Sequence, residues 1–147
     1  MRRFEYNGLT KQDIMRPIIQ GWTGNVLLYF HQFRLGGGRM SAQKVDAAIR
    51  ARIHALLDKA FGDRLQGVVL YGSEARGTAD SDSDADLLVL LRGPVALGKD
   101  LKTIIDALYP LQLEVERPIH ALPVEATVYA EGEFSLYRNA RKEGVLV

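Results

Sequence analysis

Two apolar runs, Val68-Val69-Leu70-Tyr71 and Leu87-Leu88-Val89-Leu90-Leu91, flank a Gly-Ser pair and a series of alternating aspartates. Short runs this rich in Val and Leu, bounded by Gly and Asp, read as buried strands, here Gly67 to Tyr71 and Asp86 to Leu91. Between them the chain must make a turn at Gly72-Ser73, a short helical piece and a polar loop. A strand sends every second side chain to one face, so Asp84 and Asp86 point the same way. Asp82 joins them if the strand starts early.

Paired carboxylates push each other towards the protonated form unless a cation lies between them. A hard divalent ion such as Mg²⁺, which takes oxygen ligands, resolves that repulsion. On the other side of the turn, Gly72 lets the backbone approach a ligand closely, and Ser73 offers a hydroxyl and an N–H at a helix start, where phosphate is favoured. Metal on one side and phosphate on the other describe a seat for a metal–nucleoside triphosphate. Asp-rich runs between strands are often only polar loops. The alternation Asp80, Asp82, Asp84, Asp86 also invites a calcium-loop reading. An EF-hand counted from Asp80 needs Gly at position six and Glu at position twelve, but Ala85 and Leu91 stand there.

The rest of the composition narrows the class. With 147 residues, 47% apolar and 25% charged, the chain is long enough for one domain with a real core. It contains no cysteine, so disulfides and thiolate metal sites are excluded. It contains no run of about 18 apolar residues, which excludes a transmembrane helix. The start lacks the apolar core of a signal peptide, and a cytoplasmic protein is expected. The net charge of +1 hides an asymmetry: residues 1–39 carry six Lys/Arg against two Asp/Glu, leaving 13 against 16 for residues 40–147. A mildly acidic domain argues against a broad nucleic-acid surface.

Residues 1–39 fit poorly with the rest of the chain. Glycines interrupt each candidate element, and Val26 to Phe30 reads as strand or helical turn. Gly36-Gly37-Gly38-Arg39 before Met40 fits a G-rich ribosome-binding site, so Met40 reads as the natural start; the alternative is a genuine N-terminal arm or partner-binding extension. Ser41 to Phe61 reads as an amphipathic helix capped by Ser41 and ended at Gly62, with Val45, Ile49, Ile53, Leu56, Leu57 and Ala60 as its stripe. His54 sits at the stripe's edge as a surface or boundary residue. A second helix runs from Lys99 or Asp100 to Tyr109, with Leu101, Ile104, Ile105 and Leu108 buried, and Pro110 ends or kinks it. Pro118 to Val124 is a third strand, with Pro123 tolerable at an edge. Glu131 to Lys142 is a last helix, stopped at Gly144. The apolar terminus Val145-Leu146-Val147 suggests packing or pairing with another chain.

Gly72-Ser73, Arg76-Gly77 and Ser83-Asp84-Ala85-Asp86-Leu87 together resemble the signature of the DNA polymerase beta-type nucleotidyltransferase superfamily. More narrowly they are similar to its minimal nucleotidyltransferases (MNT). The ending Tyr137 to Gly144 also resembles that group, so the likeness covers about residues 41–147, although only 72–87 is diagnostic. The resemblance implies an α/β (α+β) fold with a small mixed sheet backed by helices. It implies transfer of AMP, or another nucleoside monophosphate, from ATP or another NTP to a hydroxyl. Gly72, Ser73 and Arg76 would bind the nucleotide, and Asp84 and Asp86 would be catalytic and carry Mg²⁺ or Mn²⁺. Arg76 has a second reading, as a structural clamp on the acidic loop 80–86.

Superfamily members usually add a third carboxylate on a neighbouring strand. Here His120 falls at that place, flanked by Glu114, Glu116 and Glu125. Histidine can accept a proton near neutral pH and serve as base, but it is a poorer Mg²⁺ ligand; a half-buried structural histidine is the other reading. The chain is too short to include the extra acceptor-binding domain of larger family members. Minimal members commonly act with a helical HEPN-type toxin, which makes an antitoxin role, a protein acceptor and a homo- or hetero-oligomer the expectation. The alternative is a non-catalytic antitoxin that neutralises its partner by binding alone.

Overall fold

Alternation along three neighbouring strands decides the architecture. In the computed structural model, which describes residues 5–6, 9–10, 45–79 and 83–147, the chain divides into two units, Met1–Met40 and Ser41–Val147. In the first, β1 (Glu5–Tyr6) pairs antiparallel with β2 (Leu9–Thr10). The Val26–Phe30 segment and the Met40 start lie outside the described residues, as do Ser41, Asp80 and Asp82.

The second unit contains, in order, α1 (Ala47–Phe61), β3 (Leu65–Tyr71), β4 (Ala85–Leu91), α2 (Leu97–Glu114), β5 (Ile119–Glu125), α3 (Ala126–Glu131), α4 (Ser135–Glu143) and β6 (Val145–Leu146). Its four-stranded sheet has the order β5-β4-β3-β6. The pairs β3–β4 and β3–β6 are antiparallel, and β4–β5, joined through α2, is parallel. This is the expected α/β fold with a small mixed sheet backed by helices. Pro123 lies on the edge strand β5, where its missing N–H costs no ladder bond to an outer neighbour.

Both faces of the sheet are apolar, and the pleat sorts them. Val68 and Leu70 of β3, Leu87, Val89 and Leu91 of β4, and Ile119 of β5 pack with Ile49, Ile53 and Leu57 of α1 and Ile104, Leu108 and Leu111 of α2. Val69, Leu88, Leu90 and Val124 pack on the opposite side with Leu136, Tyr137 and Ala140 of α4. Strand β4 is therefore buried on both sides, which explains its unbroken apolar run.

Several expected boundaries move, each for a local reason. The first helix starts at Ala47, not Ser41, because Asp46 caps it: its Oδ1 accepts the Ile49 N–H at 2.9 Å. The second helix continues through Pro110 to Glu114. Pro110 is exposed, so the Asp106 carbonyl that it cannot reach faces water, while buried Leu111 and Gln112 hold the last turn in place. The expected final helix, Glu131 to Lys142, starts later, at Ser135, and a short helix that the sequence pattern did not announce, α3, precedes it across a break at Gly132 to Phe134. The terminal Val145-Leu146 forms a short strand of this sheet. It pairs with β3 of its own chain, with Val145 opposite Leu70 and Leu146 opposite Val69. Cross-strand pairing within one chain avoids the entropy of bringing two together.

The start of α2 depends on a buried acid. Asp100 accepts from Arg64 Nη1 at 2.9 Å and Nη2 at 3.1 Å, and from the Ala96 N–H at 2.9 Å. The hydrogen bonds from Arg64 hold its carboxyl below the ordinary 3.8, against the opposing effect of burial. A carboxyl depressed in the folded state adds stability above its unfolded pKa, and that stability is lost as pH falls through the folded value. Asp100→Asn is therefore expected to flatten the fall of Tm on acidification below about pH 4, measured by thermal unfolding across pH 2–7. An unchanged acid limb would show that Asp100 is not among the groups driving acid unfolding.

Candidate functional site

The end of β3 and the starts of β4 and β5 meet at one corner of the sheet. Tyr71 stands opposite Asp86, and Asp86 opposite His120, in a row across three strands. By the pleat all three face the side packed by α4. Asp84 precedes the strand with the same parity as Asp86, and its Oδ2 lies 3.4 Å from His120 Nε2. Asp84 and His120 are both partly open to solvent, with side chains 38% and 20% exposed.

Beyond Tyr71 the chain makes one compact turn, Gly72 to Gly77, in place of a regular helix. Arg76 N–H donates to the Gly72 carbonyl at 3.2 Å, Gly77 N–H to Glu74 at 3.2 Å, and Thr78 N–H to Ser73 at 3.0 Å. The last two, with Gly77 at φ +69°, form a Schellman closure: a single helical turn stopped by a left-handed residue. Gly72 has φ +79°, and a Cβ there would stand 3.4 Å from Asp86 Oδ2. The turn's backbone thus lies directly against the Asp86 carboxylate. Only a residue without a side chain adopts this conformation at no steric cost.

The sequence-predicted residues Gly72, Ser73, Asp84, Asp86 and His120 therefore belong to one corner. Arg76 lies on the same turn, but its Nη1 reaches Glu143 Oε2 at the end of α4, 3.1 Å away in an exposed pair. The flanking acids go elsewhere. Glu114 takes both Nη atoms of Arg52, at 2.7 and 2.8 Å. Glu125 ends β5, the far end from His120, and accepts from Thr127. His120 alone occupies the β5 position opposite Asp86. Among the described residues, no group of three or more His, Asp or Glu is gathered closely enough to hold a metal ion.

Three residues of the corner escaped sequence reasoning. The Tyr71 phenol is pushed far above its ordinary value by burial, with the Asp86 charge and Tyr137 adding to the shift, so it remains a neutral hydroxyl. Parity with Asp86 across an antiparallel pair was the available signal for it. Glu74 and Arg117 form an ion pair of 2.6 Å, with side chains only 5% and 3% exposed. Nothing in the local pattern of either residue announces a partner 43 positions away.

The corner thus sets the backbone of a tight turn beside Asp86, with Asp84 and His120 next to it. Among known proteins, the nucleotidyltransferase domain family model matches residues 51–147, the stretch that contains the whole corner. No curated protein matches the sequence significantly. A crystal structure of a proposed nucleotidyltransferase from Sulfolobus solfataricus is similar at a TM-score of 0.47 and 15% identity, over 76% of this chain and 89% of that one. So distant a likeness carries no weight. No helix among the described residues is long and apolar enough to cross a membrane.

Proposed function

This chain belongs to the nucleotidyltransferase domain family, whose chemistry is nucleotidyl transfer, and we propose that it moves AMP from ATP to a hydroxyl with Mg²⁺ bound at Asp84 and Asp86. The observation that supports this reading is the close approach of the Gly72 backbone to the Asp86 carboxylate, so that a phosphate held by the turn would meet an ion held by the acids. Two carboxylates make a hard oxygen donor set that suits Mg²⁺ or Mn²⁺. When bound, the ion neutralises the triphosphate and polarises the α-phosphate.

The chain's own residues do the rest. Ser73 and the backbone of the turn hold the β and γ phosphates, and Arg76 lies within the same turn as a further cation for them. The acceptor oxygen attacks the α-phosphorus, the bond to the bridging oxygen breaks, and pyrophosphate leaves in line. The hydroxyl proton goes to His120, whose imidazolium then faces Asp84 at 3.4 Å. Positioning and charge neutralisation supply most of the rate.

The acceptor in this reading is a hydroxyl of a partner protein, a helical HEPN-type toxin, with this chain as the antitoxin. Its support is the similarity of residues 72–87 and 137–144 to the minimal nucleotidyltransferases. A second reading, an antitoxin that acts by binding alone, is favoured by one feature: a histidine occupies the strand position opposite Asp86 where an active member carries an acid. ATP labelled in the α-phosphate, Mg²⁺ and the partner distinguish the two. Label on the partner supports transfer. Neutralisation of the toxin with no label supports the binder and ends the enzyme reading.

His120 gives a sharper test. His120→Ala should lower kcat about 10²-fold, the usual contribution of a positioned base. His120→Asp should recover most of that loss by restoring a carboxylate. If both variants transfer at the native rate, His120 is structural.

A further inference from the structure

One buried network ties together the three segments that carry the corner. Glu74, in the middle of the Gly72–Gly77 turn, uses both oxygens: Oε2 accepts from Arg117 Nη1 at 2.6 Å, and Oε1 from the Val45 N–H at 2.9 Å. Arg117 belongs to the loop before β5, three residues ahead of His120. That loop is itself pinned. Gln112 of α2, also buried, donates from Nε2 to the Arg117 carbonyl at 3.0 Å, and its Oε1 accepts from the Ile119 N–H at 2.7 Å. The Pro118 carbonyl accepts from the N–H of Ala85, the residue between Asp84 and Asp86, at 2.9 Å. Starting from Glu74, covalent and hydrogen bonds therefore run through Arg117 and Pro118 to the first residue of β4, and on to His120.

A buried ion pair is an inefficient way to stabilise a fold. The desolvation of two charges offsets most of their attraction, and apolar residues of similar volume often serve as well or better. What such a pair does offer is a fixed distance between the elements that bear it. The turn it anchors is neither regular helix nor strand: among the described residues its closure has three backbone bonds, with the exposed Arg76–Glu143 pair beside them.

From this we infer that Glu74 and Arg117 are positioning residues, which fix the phosphate turn relative to Asp84, Asp86 and His120. The inference rests on the nucleotidyltransferase reading above. Neither residue touches the reacting atoms, so their effect is expected in nucleotide capture: a shift of the turn by about 1 Å is enough to lower kcat/KM about 10²-fold.

The test uses Glu74→Gln, Arg117→Met and the paired Glu74→Met/Arg117→Met, with Arg52→Met as a control in the exposed pair to Glu114. Breaking one partner leaves a buried charge, so the single variants should be destabilised. The paired apolar variant should regain much of the native Tm. Hydrogen exchange of the free protein is the readout that does not depend on nucleotide. In the paired variant the amides of Arg76, Gly77 and Thr78 should exchange at least tenfold faster, with the β4 amides unchanged. KM for ATP in label transfer should rise about tenfold or more in the same variant and stay native in Arg52→Met. Native exchange at the turn, or a native KM once stability is regained, overturns the inference and leaves the nucleotidyltransferase reading intact. Faster exchange in the variant, with no ATP-dependent transfer even by the native protein, instead overturns that reading and keeps the pair as a purely structural clamp.

Discussion

Asp86→Asn is expected to reduce label transfer from ATP about 10³-fold without loss of stability. Asparagine keeps the shape of aspartate and removes the charge. Asp86 stands between Tyr71 and His120 in the strand row and against the Gly72 backbone. In the free protein that charge stands in the same corner as a second carboxylate, Asp84, and His120. Removing it should leave Tm level or slightly higher, the usual relation between an active-site charge and stability. In the presence of nucleotide the same charge holds the metal, and electrostatic stabilisation of this kind is worth about 10²–10³ in rate for each group removed. Asp84→Asn should lose activity to a similar degree. EDTA should abolish transfer by the native protein, with Mg²⁺ or Mn²⁺ restoring it. Initial rates with labelled ATP and a thermal melt of each variant check both halves. More than a tenth of native activity in Asp86→Asn would remove that carboxylate from the proposed chemistry.

The largest effect on stability per atom added is expected at Gly144. Sequence reasoning assigns it the role of helix stop, which any residue with ordinary φ could play, and its φ is −72°. Its real constraint is contact. The Gly144 N–H donates to the Ala140 carbonyl at 2.8 Å, closing α4. A methyl group at Gly144 would overlap that carbonyl oxygen and stand 2.6 Å from Val69 Cγ1 and 3.2 Å from the Leu70 carbonyl. Neither carbonyl can move without breaking α4 or the pairing of β6 with β3. Overpacking of this sort costs about 1–3 kcal/mol. For a unit of this size Gly144→Ala should lower Tm by roughly 4–12 °C. It should also expose the terminal strand, seen as faster exchange at the Val147 N–H, which donates to the Val68 carbonyl at 3.0 Å. A Tm within about 1 °C of native, small beside that shift, would show that the chain end repacks at no cost.

Local pattern was a good guide wherever a single period governed a segment. The unbroken apolar run of β4 announced a strand buried on both faces. The spacing of Ile49, Ile53 and Leu57 announced α1, and Leu101, Ile104 and Leu108 announced α2. It failed where two local signals competed. Pro110 argued for a stop, but burial of Leu111 and Gln112 kept the helix going. Ser41 was a plausible cap, but Asp46 lies at the observed helix start. A single apolar stripe through Phe134, Tyr137 and Ala140 carried the last helix back to Glu131, past the break at Gly132 to Phe134, and α3 went unannounced.

By itself the sequence determined five groups of the corner, Gly72, Ser73, Asp84, Asp86 and His120, and left out Tyr71, Glu74 and Arg117. The Gly-Ser pair, the alternate aspartates and a histidine in the next strand follow from the pleat and from residue type, because both act over two or three positions. Only the tertiary structure decided how those groups face one another. It set Asp86 level with His120 through the parallel register of β4 and β5, sent Arg76 towards Glu143, folded the terminal strand onto β3, and buried Glu74 against Arg117. Each of these depends on residues far apart in the chain. Their pairing is set by how the sheet and helices pack together, and a local pattern carries no record of it.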